Sequence, residues 1–232
     1  MTETKSRKIC LPSTGKLLIF ALLLLGGGGT LMVWLPYHQE QLVIAEIERY
    51  GGQTSSNELL RPSWMPDSIG PLSVFNRVET VNLDNSQFGD SELEHLLMLK
   101  NVWALSLGNT EISDAGLEKL QAMKSLKQLD VESTRISDAG LEHLRGMTNL
   151  FDLELSNTRI SDVGLENLRA MTKLQVLCLD GTDVSDAGLI HLQELKNLKW
   201  LVLDFTPVTP TGVEKLQKSL PDCIIDWIPI EE

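Results

Sequence analysis

The sequence predicts an α/β solenoid carried on an N-terminal membrane helix. Three observations point there: a fixed 24-residue period over 78–222, an uncharged 21-residue run over 17–37, and a strongly acidic remainder. A period of this length marks supersecondary units that cannot bury their apolar faces alone and must stack on one another. A stacked array offers an extended surface, so the expectation is a binding protein.

Residues 1–16 form a short tail with Lys5, Arg7, Lys8 and Lys16. The run Leu17 to Tyr37 follows, long enough to cross a hydrocarbon core of roughly 30 Å at about 1.5 Å per helical residue. Basic residues before it, with Glu40, Glu46 and Glu48 after it, place the tail in the cytoplasm and the repeats outside. Trp34 and Tyr37 stand where interfacial aromatics are expected. The alternative is a cleaved signal peptide with Gly27 and Gly29 before the cut, although cleavage there exposes Leu31–Leu35 at a new terminus. Gly26–Gly29 with Thr30 offers a small-residue face for helix pairing, or is merely tolerated. Cys10 lacks the small apolar residues of a lipidation site.

Residues 38–77 read as a juxtamembrane helix, a linker and an N-terminal cap. Leu42, Ile44 and Ile47 give Glu40–Tyr50 an apolar stripe, and Gly51-Gly52 ends it. Gln53–Asn57 reads as a polar linker, and Arg61–Phe75, with Trp64, Ile69, Leu72 and Phe75, as the segment covering the first repeat.

Six repeats begin at Val78, Val102, Leu126, Leu150, Leu174 and Leu198. Repeat positions 1, 4, 6, 11, 16 and 19 are apolar in every one of them. Positions 4 and 6 alternate with polar residues, as in a short strand with one side turned inward. Ser113, Ser137, Ser161, Ser185 and Thr209 stand where a helix begins and are expected to cap it. Asp114, Asp138, Asp162 and Asp186 follow, suiting the positive end of the helix dipole. Leucines or valines at 16 and 19 and Met123, Met147 and Met171 at 22 make the inward helical stripe. Gly116, Gly140, Gly164, Gly188 and Gly212 are expected to permit close backbone packing. Ser86, Thr110, Thr134, Thr158, Thr182 and Thr206 form a hydroxyl ladder that satisfies backbone groups where strand gives way to turn. Leu220-Pro221 stops the last helix, and 223–232 closes the core with one more strand, Cys223–Trp227, and a tail.

The units LKQLDVESTRISDAGLEHLRGMTN and LFDLELSNTRISDVGLENLRAMTK match LxxLxLxx(N/T)xI…GLxxL. This pattern resembles the leucine-rich repeat family. The "ISDAGL" run is similar to repeats in bacterial membrane-anchored members. The resemblance implies parallel strands on a concave face, helices on a convex face, and binding without catalysis.

Without residues 1–16 the chain keeps 16 basic and 31 acidic residues. That balance argues against nucleic-acid binding, which needs basic surface to displace counterions. His95, His143 and His191 share position 18 in alternate units, too far apart for one zinc ion, and read as solvated helix residues. Cys178 and Cys223 fall two strands apart, about 9–10 Å, beyond disulfide reach. The residues suggest neither a nucleophile–base pair nor a phosphate loop, and no cofactor is expected.

Positions 2, 3, 5, 7 and 8 line the expected concave face. They include Trp103, Phe151, Trp200 and Phe205, with acids Glu79, Asp84, Asp130, Glu132, Asp152, Glu154, Asp180 and Asp204 against Lys127 and Lys199. Asp130 is expected beside Glu154, and Asp180 beside Asp204, a repulsion that solvent or a cationic partner relieves. Trp103, Asp130, Glu132, Phe151, Glu154, Asp180, Trp200, Asp204 and Phe205 are therefore the candidate partner-binding residues. Two readings stand: a protein or peptide of basic character, or an envelope glycan stacking on the aromatics. Aromatics at positions 2, 2, 3 and 8 do not repeat as sugars do, which favours protein. A plain solvated acidic sheet is the third reading.

Overall fold

The computed structural model describes residues 30–58 and 76–230. The tail 1–16, residues 17–29 of the expected span and the cap segment Arg61–Phe75 lie outside them. Among the described residues no helix is long and apolar enough to cross a membrane. The first helix among the described residues, α1, runs Thr30–Arg49, starting ten residues before the stripe that predicts it. Its end agrees with the sequence: Gly51 has φ +80°, which glycine adopts freely.

From Glu40 onward the chain forms one compact unit. Val43 and Ile47 of α1 are buried in the core, and Tyr50 meets Phe88 edge-on at 5.5 Å between ring centres. Arg77 pairs with the buried Glu40 at 3.2 Å, and His95 meets Glu46 at 2.7 Å. His95 is thus a contact between α1 and the first repeat, not a free solvated residue. His143 likewise lies 3.1 Å from the Gln121 amide. Gly52 passes so close to the Asn82 carbonyl and the Leu83 side chain that a β-carbon has no room there.

The expected linker is instead a strand. β1 (Gln53–Glu58) pairs antiparallel with β2 (Asn76–Asn82), with an irregularity between Ser55 and Ser56. Its side chains carry no apolar alternation because β1 contributes backbone hydrogen bonds to the first repeat's edge. β3 (Ala104–Ser106), β4 (Gln128–Asp130), β5 (Asp152–Glu154), β6 (Val176–Cys178), β7 (Trp200–Val202) and β8 (Ile224–Asp226) continue the sheet in parallel, in sequence order. Register is set by the period, so Leu105, Leu129, Leu153, Leu177, Leu201 and Ile225 stand side by side. Of the 36 apolar repeat positions only Val213 is not fully buried.

The convex elements are shorter and more varied than the pattern suggests. They are α2 (Leu93–Leu96), α3 (Asp114–Leu120), α4 (Asp138–Leu144), α5 (Asp162–Leu165, continued as a 3-10 turn) and α6 (Pro210–Ser219). The fifth repeat has only a 3-10 helix, Gly188–Leu192. Leu at positions 16 and 19 reaches the core from either helix type, so the sequence pattern does not separate them.

Capping proves to be the minor role of the Ser-Asp pair. Ser137, Ser161 and Thr209 do cap their helices, but through long bonds from the Ala139, Val163 and Gly212 N–H at 3.3, 3.4 and 3.3 Å. Ser185 accepts the Ala187 N–H at 3.3 Å ahead of its 3-10 helix, and Ser113 makes no cap bond. The principal partner lies in the next repeat. Asp138 accepts the Ser161 N–H at 2.8 Å and its hydroxyl at 2.6 Å. Asp90, Asp114, Asp162 and Asp186 do the same for Ser113, Ser137, Ser185 and Thr209. The position-15 glycines make room for these carboxylates: a β-carbon on Gly164 collides with the Asp138 oxygen, and the other four repeat the clash. Five rungs of the hydroxyl ladder are as expected, each hydroxyl from Thr110 to Thr206 donating to the carbonyl three residues earlier, whereas Ser86, the first expected rung, accepts the Phe88 N–H at 3.3 Å.

Candidate functional site

Strand alternation sends positions 3, 5 and 7 to the open side of the sheet. Position 5 carries Ser106, Asp130, Glu154, Cys178, Val202 and Asp226 in one row, with Asp130 and Glu154 in direct register. Position 3 carries Thr80, Ala104, Gln128, Asp152, Val176, Trp200 and Ile224. Ala104, Ser106, Gln128, Asp130, Asp152 and Glu154 line a shallow, open depression. The Gln128 amide there donates to Asp152 at 2.6 Å.

Several acids also have local duties. Asp130 accepts the Glu132 N–H at 2.9 Å, and Glu154 accepts that of Ser156 at 2.9 Å. Each closes the turn after its own strand. Asp84 reaches across one repeat to the Gly108 N–H at 2.8 Å, and a β-carbon on Gly108 would lie close to both Asp84 and Asp130. Ser156 is buried between Glu154 and Asp180 and touches a carboxylate oxygen of each, with one hydroxyl hydrogen for the two. Asp204 has one oxygen, Oδ1, that is buried without a hydrogen-bond partner. Glu132 is exposed.

This crowding is visible in the acid equilibria. Burial, then the charges of Asp84, Glu154 and Glu132, push the Asp130 carboxyl up to about 6, while the Glu132 N–H bond opposes the rise. Burial and Glu154 push the Cys178 thiol far above its ordinary range, which keeps it protonated and a poor nucleophile. Cys178 and Cys223 are both unpaired.

The Asp130 shift has a testable consequence. The folded state holds this proton more tightly than the unfolded chain, so stability falls as pH rises from about 4 to about 6. Asp130→Asn, which keeps an acceptor for the Glu132 N–H, is expected to stabilise the protein at pH 7 by about 1 kcal/mol after allowance for solvent screening. The gain should vanish near pH 4. Thermal melts of both proteins at the two pH values check it, and an unchanged melting temperature at pH 7 contradicts it.

The four aromatics do not form one cluster. Trp103 and Phe151 sit at position 2, two repeats apart and half-buried, and the Trp103 indole donates to Glu79 at 3.3 Å. Trp200 and Phe205 are 49% and 59% exposed at the other end of the sheet. The Trp200 indole donates to Asp226 at 2.7 Å, an acid the sequence reading did not single out. Its signal was available: Asp226 falls at position 5 of the strand after the sixth repeat. Phe205 has φ +55°, in the left-handed conformation shared by Asn85, Asn109, Ser133, Asn157 and Gly181 at the same repeat position. Small or amide side chains tolerate that conformation, whereas an exposed phenylalanine there is strained.

Residues 122–144 match the family described as Leucine Rich repeat. The fold is similar to an internalin (inlF) from Listeria monocytogenes, with TM-score 0.55 and 21% identity over 66% of this chain and 43% of that one. It is also similar to an internalin C2 (inlC2) from the same organism, with TM-score 0.51 and 23% identity over 68% of this chain and 75% of the other. A Leptospira interrogans leucine-rich repeat protein aligns at TM-score 0.47 and 25% identity over 57% of this chain and 33% of its own. No curated protein matches. The chain thus spans less than half of the internalin inlF it resembles. Residues 122–144 carry a leucine-rich repeat, and the stacked units around them have the fold of leucine-rich repeat proteins.

Proposed function

We propose that this chain is a membrane-tethered, non-enzymatic module of the "ISDAGL" repeat type that binds a protein or peptide of basic character on its acidic sheet face. The observation that carries the reading is the run of acids on positions 5 and 7, which ends beside two exposed aromatics. Acids that share one hydroxyl or lie in direct register stay mutually repelled until a cation arrives. Aromatic anchors next to a charged rim are the usual make-up of a protein interface. The depression on this face lies open to solvent, which favours a macromolecular partner over a small substrate. Half-burial of Trp103 and Phe151 removes two of the stacking platforms that a glycan would use.

Tethering rests on the uncharged run 17–37 and its basic flank. Protease added to intact cells is expected to remove the repeats and spare residues 1–16, and a secreted product beginning near Thr30 overturns the tether. Binding is tested by surface plasmon resonance with the partner in solution. Neutralising Asp130, Glu154, Asp180 and Asp204 together should slow association and flatten its salt dependence. Trp200→Ala should speed dissociation, costing about 1–3 kcal/mol. Trp103→Ala, already half-buried and held by Glu79, should cost less. Unchanged kinetics in the fourfold variant refutes the acidic-face reading.

A further inference from the structure

The two edges of the sheet are not alike. β1 covers the N-terminal edge with the polar sequence QTSSNE. The C-terminal edge is β8, and among the described residues no strand pairs with its outer side. Ile224 donates its N–H to Lys199, while Asp226 and Ile228 accept from Leu203 and Phe205, so these residues turn their backbone groups toward β7. By strand alternation the N–H and C=O of Ile225 and Trp227 face outward. Ile224, Ile228 and Ile230 are 63%, 51% and 55% exposed, and Trp200 stands in register with Ile224. Together with the strained Phe205, whose N–H bonds to Ile228, they make an apolar patch beside a row of unpaired backbone groups. Soluble proteins normally blunt such an edge.

We infer that the outer edge of β8 receives an extended segment of a partner protein as a ninth strand, with a lysine or arginine of that segment aligned with Asp226 and apolar residues two places to either side. Strand addition supplies affinity through backbone bonds and specificity through alternate side chains. The open face of β8 reads Ile224, Asp226, Ile228, so the neighbouring strand meets apolar, acidic, apolar in turn. A second copy of this chain is disfavoured, because its own β8 offers an acid where a base is needed, and Asp222 adds to the repulsion. The edge shares Trp200 and Phe205 with the acidic face but none of its acids Asp130, Glu154, Asp180 and Asp204, and its own carboxylate is Asp226.

The test uses the full chain in detergent and a short synthetic peptide with a central arginine flanked two places away by isoleucines. On binding, the Ile225 and Trp227 amides should slow at least tenfold in hydrogen exchange followed by NMR. Ile224→Lys with Ile228→Lys, both at exposed sites, should weaken binding tenfold or more. Ile190→Lys on the convex side should leave it unchanged, and a peptide with glutamate for arginine should not bind. No binding at millimolar peptide overturns the inference. So does binding that leaves both amides unprotected, and so does protection that appears without peptide as protein concentration rises, which assigns the edge to a second copy. Loss of the acidic-face site alone leaves the amide protection intact.

Discussion

Replacing Leu153 with aspartate is expected to unfold the centre of the solenoid. Leu153 is fully buried in β5 and stands between Leu129 and Leu177 in the adjacent strands. An aspartate there brings a charge into a fully buried apolar row without a counter-ion, a cost above about 4 kcal/mol. In a stacked array the damage spreads to the units on either side, since each is stable only against its neighbours. Circular dichroism should show loss of signal beyond one repeat's share. A variant as stable as the parent would mean that position 4 does not point inward.

The second large effect belongs to the ladder between repeats. Asp138→Ala removes two hydrogen bonds from Ser161 to one carboxylate, both charge-assisted, and leaves a backbone N–H to find water. The expected loss is about 2–4 kcal/mol. Gly164→Ala should cost a comparable amount by a different route, because its methyl group occupies the space that the Asp138 carboxylate fills. The two changes act on the same contact, so the double variant should be less destabilised than the sum. Chemical denaturation of the three proteins measures this, and simple additivity would show that glycine and aspartate serve separate purposes. If capping were the main role of the Ser-Asp pair, Asp138→Ala would cost only the few tenths of a kcal/mol of a helix-dipole contact.

The ladder also shows where sequence reasoning reaches its limit. Ser followed by Asp at a helix start reads as a cap, and the same pair read across a repeat boundary is a hydrogen-bonded bridge. The residues are identical in both accounts. Only the stacking distance between repeats decides between them, and the glycine two residues beyond Asp114, Asp138, Asp162 and Asp186 is the one clue that favours the bridge. The apolar frame was legible because a 24-residue period at six positions admits few alternatives. β1 was not, since a strand that contributes only backbone bonds needs no apolar alternation.

The candidate face divides in the same way. Its acids were legible, because alternation alone sends positions 5 and 7 to the open side. Their second duties were not, since Asp130 and Glu154 close their own turns through residues two places on. Nor does sequence reveal that Trp103 is shielded while Trp200 is open, a difference set by neighbours in other repeats. Phe205 has a signal in hindsight: it is the bulky exception at a repeat position otherwise filled by Asn, Ser and Gly.

Photocross-linking in intact cells tests the central claim most directly. A photoreactive amino acid placed singly at Gln128, Val176 and Trp200 probes the open sheet face, and one at Glu118, Glu142 and Ile190 probes the convex side. The account predicts a discrete protein adduct from the sheet-face positions, one that weakens as salt is raised, and none from the convex positions. Adducts from the convex positions alone would place the binding surface on the helices and contradict it.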